Sequence, residues 1–153
     1  APSILKEDVK KWFKLNDESK YMLMVSEIND NKKIEMSSAE KELFGIEKLN
    51  IKRSEIPAVT HVDYSARIQT VDENSNYHYY KLMQKFKEKT GCPSLVNTSF
   101  NIRGEPLVNT PKDAYQCFMG TDMDILCIGN FYLKKKDQDK KLINNYQNKF
   151  ELD

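Results

Sequence analysis

The sequence predicts an α/β fold in which strands and helices alternate around one sheet. Two observations carry this. Apolar, β-branched stretches alternate with helical periodicity in the order strand, helix, strand, helix, strand. The length, 153 residues, suits about one domain. With 39% hydrophobic and 31% charged residues, the chain carries one modest core under a wet surface.

In order along the chain, Ser3 reads as the N-cap of a short helix with Ile4, Val9, Trp12 and Phe13 on one stripe. Residues 21–28, YMLMVSEI, read as a buried strand. Residues 29–55 are polar and lysine-rich, with a helical turn near 37–44 and no clear period, and read as a surface insertion closed by Pro57. ARIQTV (66–71) is a second strand. Residues 75–90 form a helix with Tyr79, Leu82, Met83 and Phe86 inward, Lys81, Lys85, Lys87 and Glu88 outward, and Gly91 in the left-handed conformation just past its end. Residues 94–97 are a short apolar strand. Thr110-Pro111-Lys112-Asp113 has the grammar of a helix start, with Thr as N-cap, Pro at the first position and an acid at the third. Ala114, Cys117 and Phe118 supply its buried stripe and Gly120 its end. DILCIG (124–129), apolar on both faces, reads as a central strand, and FYLK (131–134) as another. Residues 135–153 are a polar, Lys/Asn-rich tail.

Lys and Arg total 24 against 23 Asp and Glu, a net charge of +1, so no global field gathers phosphate backbones or anionic lipid. Nucleic acid is therefore not an expected partner. No stretch approaches the ~18 apolar residues of a membrane span, and the start lacks the basic-then-apolar order of a signal peptide, so a cytoplasmic, membrane-free protein is expected. Cys92, Cys117 and Cys127 are odd in number without C-x-x-C spacing, which favours small reduced thiols over a disulfide or zinc framework. His61 and His78 are too few for a histidine metal site. The chain opens Ala1-Pro2-Ser3 without Met and reads as a piece of something longer.

Ligands of open α/β sheets lie beyond the carboxyl ends of strands. NTSFNIRG (97–104) is such an end. If it stays extended, Asn97, Ser99, Asn101 and Arg103 line one face while Thr98, Phe100 and Ile102 point the other way. Two amides, a hydroxyl and a guanidinium suit a planar amide-like group beside an anion, and Gly104 lets the backbone turn close to it. The competing reading is a polar loop whose side chains cap their own turns. Arg67, at the head of a strand, is the second candidate, the alternative being a salt bridge to Asp63 or Glu105. His61 and Asp63 could form a base and its orienter, with Cys92 as nucleophile, although no spacing brings these together. G-x-x-x-x-G-K-[ST], G-x-G-x-x-G and H-E-x-x-H are absent, so any ATP is held without a Walker loop.

Three long motifs in order, PAVTHVDYSARIQTV (57–71), TGCPSLVNTSFNIRGEP (90–106) and TPKDA (110–114), resemble the C-terminal domain of the nodulation-type O-carbamoyltransferases; APSIL (1–5) and YMLMV (21–25) fit it too. The resemblance spans residues 1–134, with 29–55 departing as an insertion and the tail outside. It implies a YrdC-like fold, a twisted mixed β-sheet with flanking helices. It further implies that carbamoyl phosphate and ATP, with Mg accompanying the ATP, yield carbamoyl adenylate. This passes to an N-terminal kinase-like domain carrying a metal and the acceptor hydroxyl, with no metal held by this piece. Arg67, Asn97 and Ser99 match the positions that hold the carbamoyl and phosphate groups; Asn101 and Arg103 come from the alternation argument alone. The family carries further Lys and Arg residues just upstream of the Ala-Pro-Ser segment, so weak or no adenylation is expected of this piece alone. The alternative reading is a docking domain without small-molecule chemistry.

Overall fold

The opening residues form a strand, β1 (Pro2–Leu5), where the sequence predicted a helix capped by Ser3. In this computed structural model, which describes residues 1–143 and 150, β1 is paired on both sides. It runs parallel to β3 (Ser65–Val71), with Ser3 opposite Gln69, and antiparallel to β4 (Ser94–Val96), with Ser3 opposite Leu95. Two ladders and complete burial of all four side chains outweigh a local cap. Helical backbone begins only afterwards, as a 3₁₀ turn at Lys6–Asp8 and α1 (Val9–Trp12).

The sheet is completed by β2 (Met24–Glu27), antiparallel to β3, in the order β2-β3-β1-β4. It is a mixed four-stranded sheet with flanking helices, as expected. The apolar run around β2 is not buried: Tyr21 and Leu23 are each 81% exposed, because β2 is an edge strand. One sheet face, carrying Ile4, Ala66 and Ile68, packs with Val9, Trp12, Phe13, Leu15, Ile28, Ile56 and Val59 into the main core.

Segment 29–55 is more ordered than its composition suggested. Ser37 and Glu40 form a reciprocal capping box for α2 (Ser38–Glu42), and α3 (Gly45–Leu49) follows. The ends of the segment are tied by an isolated bridge between Lys33 and Ser54. Arg53 is buried, its Nη1 donating to the carbonyls of Lys48 (3.1 Å), Leu49 (3.3 Å) and Ile51 (2.8 Å) and its Nη2 to Leu49 (3.0 Å). It closes the carbonyl end of α3, whose last groups have no intrahelical donor.

Helix α4 (Tyr77–Thr90) is capped by Asn76, and it ends, as predicted, at Gly91 with φ +76°. Met83 is buried with Leu5 and Val71, while Leu82 is exposed rather than core. These elements form one compact unit, Ala1–Thr98.

The second unit runs from Ser99 onward. Its helix α5 (Pro111–Gly120) starts on the predicted box: Thr110 Oγ1 accepts from the Asp113 N–H (3.2 Å) and Asp113 Oδ2 from the Thr110 N–H (2.9 Å). β5 (Ile125–Ile128) and β6 (Phe131–Lys134) make a two-stranded hairpin, so DILCIG is not a central strand. Leu126 packs with Ala114, Phe118 and Met119, but Ile125 and Cys127 are exposed, since α5 supplies only one covering layer. Of the predicted tail, Lys135–Asp137 and Lys140–Leu142 are single 3₁₀ turns; residues 144–149 and 151–153 lie outside the described ones. No helix among the described residues is long and apolar enough to cross a membrane.

Candidate functional site

Strand alternation divides the second face of the four-stranded sheet into two halves. Leu5, Val71 and Leu95 lie under α4, packed against Met83, Tyr79 and Tyr80. Further along the same face, Ser3, Arg67, Gln69 and Asn97 make a polar patch. Asn97 belongs to it because its N–H donates to the Ala1 carbonyl (2.8 Å), which extends the β1–β4 ladder by one step. Because β4 is antiparallel to β1, its carboxyl end lies beside the beginning of β1 and the first half of β3. Two residues thirty positions apart, Arg67 and Asn97, thus fall on one cross-strand row.

Arg67 is exposed, and no carboxylate among the described residues pairs with it. Asp63, one of the partners weighed for it, caps its own turn instead, accepting from the Ser65 N–H (3.0 Å) and Oγ (2.6 Å). Those bonds hold its carboxyl below the usual carboxylate range. Asn97 is half-buried and tightly held. Its Nδ2 donates to Gln69 Oε1 (2.7 Å) and Ser3 Oγ (3.2 Å), Ser3 Oγ donates to Gln69 Oε1 (2.6 Å), and Gln69 Nε2 donates to the Lys20 carbonyl (3.2 Å). No described residue donates to Asn97 Oδ1, and it is not among the buried unpartnered atoms, so solvent reaches it. The patch therefore presents the cationic donors of Arg67 and the carbonyl acceptor of Asn97 on one face, two strands apart.

Asn101 and Arg103 do not continue the extended alternation. The chain bends at Phe100 and Asn101 and turns at Arg103 and Gly104, where φ is +79°. Extended alternation accordingly stops before Asn101. Its Nδ2 donates to the carbonyls of Ile102 (3.2 Å) and Glu105 (2.8 Å), while the Ile102 N–H donates to Glu105 Oε2 (2.9 Å): the loop satisfies itself. Ser99 is exposed, and with Asn101 and Arg103 it lies in the second unit. His61 donates its N–H to the Ser65 carbonyl, and Cys92 Sγ lies 3.5 Å from the Ser94 carbonyl. Among the described residues no three His, Cys, Asp or Glu side chains cluster to hold a metal ion.

Sequence reasoning missed Ser3 and Gln69. For Gln69 the signal was present, since it stands two residues after Arg67 in a strand and must share its face. For Ser3 the signal was misread, because a serine before an apolar stripe also looks like an N-cap.

A mixed α/β domain with an arginine and an asparagine on one row of its sheet face is the class this geometry defines. Residues 1–135 match the family described as carbamoyltransferase C-terminus, and the chain belongs to that family. It is 51% identical over 158 residues to an uncharacterized protein of Synechocystis sp., covering 100% of this chain and 25% of that protein. It is 37% identical over 139 residues to nodulation protein NolNO of Sinorhizobium fredii, covering 89% of this chain and 18% of the relative. Nodulation protein NolO of Bradyrhizobium diazoefficiens is 34% identical over 136 residues, with 89% and 22% covered. The chain thus spans a quarter or less of the length of these relatives.

Proposed function

We propose that the chain is the C-terminal domain of an O-carbamoyltransferase and that its sheet face holds carbamoyl phosphate for conversion to carbamoyl adenylate: water cleaves carbamoyl phosphate to carbamate and inorganic phosphate, and the carbamate oxygen attacks the α-phosphorus of ATP, releasing pyrophosphate. Arg67 takes the phosphate and Asn97 the carbamoyl group. The observation supporting this is the shared row: Arg67, without a carboxylate partner among the described residues, and Asn97, whose amide oxygen faces solvent, stand on one face. A guanidinium grips phosphate through two parallel N–H bonds, and an amide oxygen accepts from the carbamoyl NH₂. Such a step demands mainly positioning and neutralisation of charge, which fixed groups on a sheet supply.

In this reading the product passes to the acceptor hydroxyl of an N-terminal kinase-like domain, Mg accompanies ATP, and the reaction is cytoplasmic. Ser99 enters from the family motif, Asn101 and Arg103 from their place in the same polar run; Ser99→Ala, Asn101→Ala and Arg103→Ala test each by the affinity for carbamoyl phosphate, which falls for a residue that holds it and stays unchanged for one that does not.

Calorimetry of the chain with carbamoyl phosphate is the direct experiment. Arg67→Ala is expected to weaken binding about 10- to 100-fold, the worth of hydrogen bonds to a charged group, and Asn97→Ala about tenfold. Affinity unchanged in both variants, or no binding by the wild type, would instead favour a docking domain without small-molecule chemistry.

A further inference from the structure

We propose that Gln69 is a positioning residue that turns the Asn97 amide so that the site selects acyl phosphates bearing a nitrogen donor. This rests on the carbamoyl phosphate reading and specifies how the carbamoyl group is recognised.

The Lys20 carbonyl can only accept. Gln69 must therefore point Nε2 at it (3.2 Å), and its Oε1 faces the opposite way. There Oε1 accepts the Ser3 hydroxyl proton at 2.6 Å. With its one proton spent, Ser3 Oγ can only accept from Asn97, and it does so at 3.2 Å. Gln69 Oε1 accepts from the same Asn97 Nδ2 at 2.7 Å. Nδ2 of Asn97 is thereby turned toward Gln69 and Ser3, and Oδ1 is turned away from them, toward a ligand. Flipping the amide would set Oδ1 against Gln69 Oε1, two acceptors with no proton between them, and would leave the Ser3 oxygen without its donor. One backbone carbonyl outside the patch thus dictates, through two side chains, what the patch offers.

The consequence is chemical selectivity. Carbamoyl phosphate and acetyl phosphate share the phosphate and a planar carbonyl, and differ as NH₂ against CH₃. An outward Oδ1 accepts from NH₂ and gains nothing from a methyl. If Asn97 could rotate, it would present NH₂ and lose this distinction.

The experiment measures dissociation constants of carbamoyl phosphate, acetyl phosphate and inorganic phosphate for wild type, Gln69→Leu and Gln69→Glu. Wild type is expected to prefer carbamoyl over acetyl phosphate about tenfold, one hydrogen bond's worth. Gln69→Leu removes the acceptor that fixes Asn97, and the ratio falls to within about twofold of unity. Gln69→Glu still accepts from Ser3 and Asn97, so it keeps the ratio while weakening every phosphate ligand through its charge near Arg67. Gln69→Met repeats the test should the leucine variant fail to fold. A purely structural role for Gln69 would weaken both acyl phosphates alike and leave the ratio intact, which overturns the proposal. So does a wild type that does not distinguish the two. If wild type binds none of the three ligands, the carbamoyl phosphate reading itself falls, and this inference with it.

Discussion

Two arginines invert the usual expectation about buried charge. Arg67, at the head of a strand, stays exposed without an ion pair among the described residues, while Arg53, in a segment that reads as polar surface, is only 2% exposed. A guanidinium has five donors and needs acceptors rather than a charge as such, and the carbonyls at the end of α3 supply them. No charge pattern in the sequence advertises this, because backbone carbonyls carry no residue identity. Cys117 gives a residue-scale prediction. Burial, with the Glu105 carboxylate beside it, pushes its thiol up to about 11. At pH 8 almost none is thiolate, so a thiol reagent should label exposed Cys127 quickly and Cys117 only after denaturation. Equal labelling rates in the native protein would contradict the burial.

At the level of single elements, the difference between α5 and β1 shows what local sequence decides. Thr110-Pro111-Lys112-Asp113 is read correctly because all its partners lie within four residues. Thr110→Ala should cost about 1 kcal/mol in urea unfolding. The Thr110 hydroxyl and N–H hold the Asp113 carboxyl below its ordinary value. A depressed folded pKa means that this stabilisation is present above the unfolded carboxyl pKa and is lost as pH falls through the folded one. The stability gap between wild type and Thr110→Ala should therefore narrow on acidification below the ordinary carboxylate range. Ser3 carries a plainer capping signature, with Lys6 where the box has an acid, and becomes a strand residue because its partners, Gln69 and Leu95, are remote in sequence. Arg53→Met tests the element it closes: it leaves several α3 carbonyls without donors, and a loss of about 3 kcal/mol is expected by denaturant titration. A neutral result would mean that water replaces the guanidinium.

For the chain as a whole, the mixed sheet sets a hierarchy of protection. β1 and β3 are paired on both sides and feed the main core, whereas β2 has one neighbour and exposed side chains. Native-state hydrogen exchange should be slowest in β1 and β3 and clearly faster in β2. The reverse order would contradict the strand arrangement. The near-neutral charge, +1, leads to a second expectation, that RNA is not retained at physiological salt. Steeply salt-dependent RNA binding would overturn it.

Read without coordinates, this chain already declared its alternation of strands and helices, the Gly91 end of α4, the Thr110 start of α5, and the Arg67 and Asn97 candidates through the family motifs; the period-two link from Arg67 to Gln69 stood in the same letters. Each of these depends on near neighbours or on a pattern carried in the letters themselves. Folding alone made Pro2–Leu5 an inner strand, bent the chain after Asn97 so that Asn101 turned in on its own loop, and joined Ser3, Gln69 and Asn97 into one network. Those outcomes come from hydrogen bonds between segments tens of residues apart, whose pairing depends on strand direction and register, neither of which any short stretch of sequence encodes.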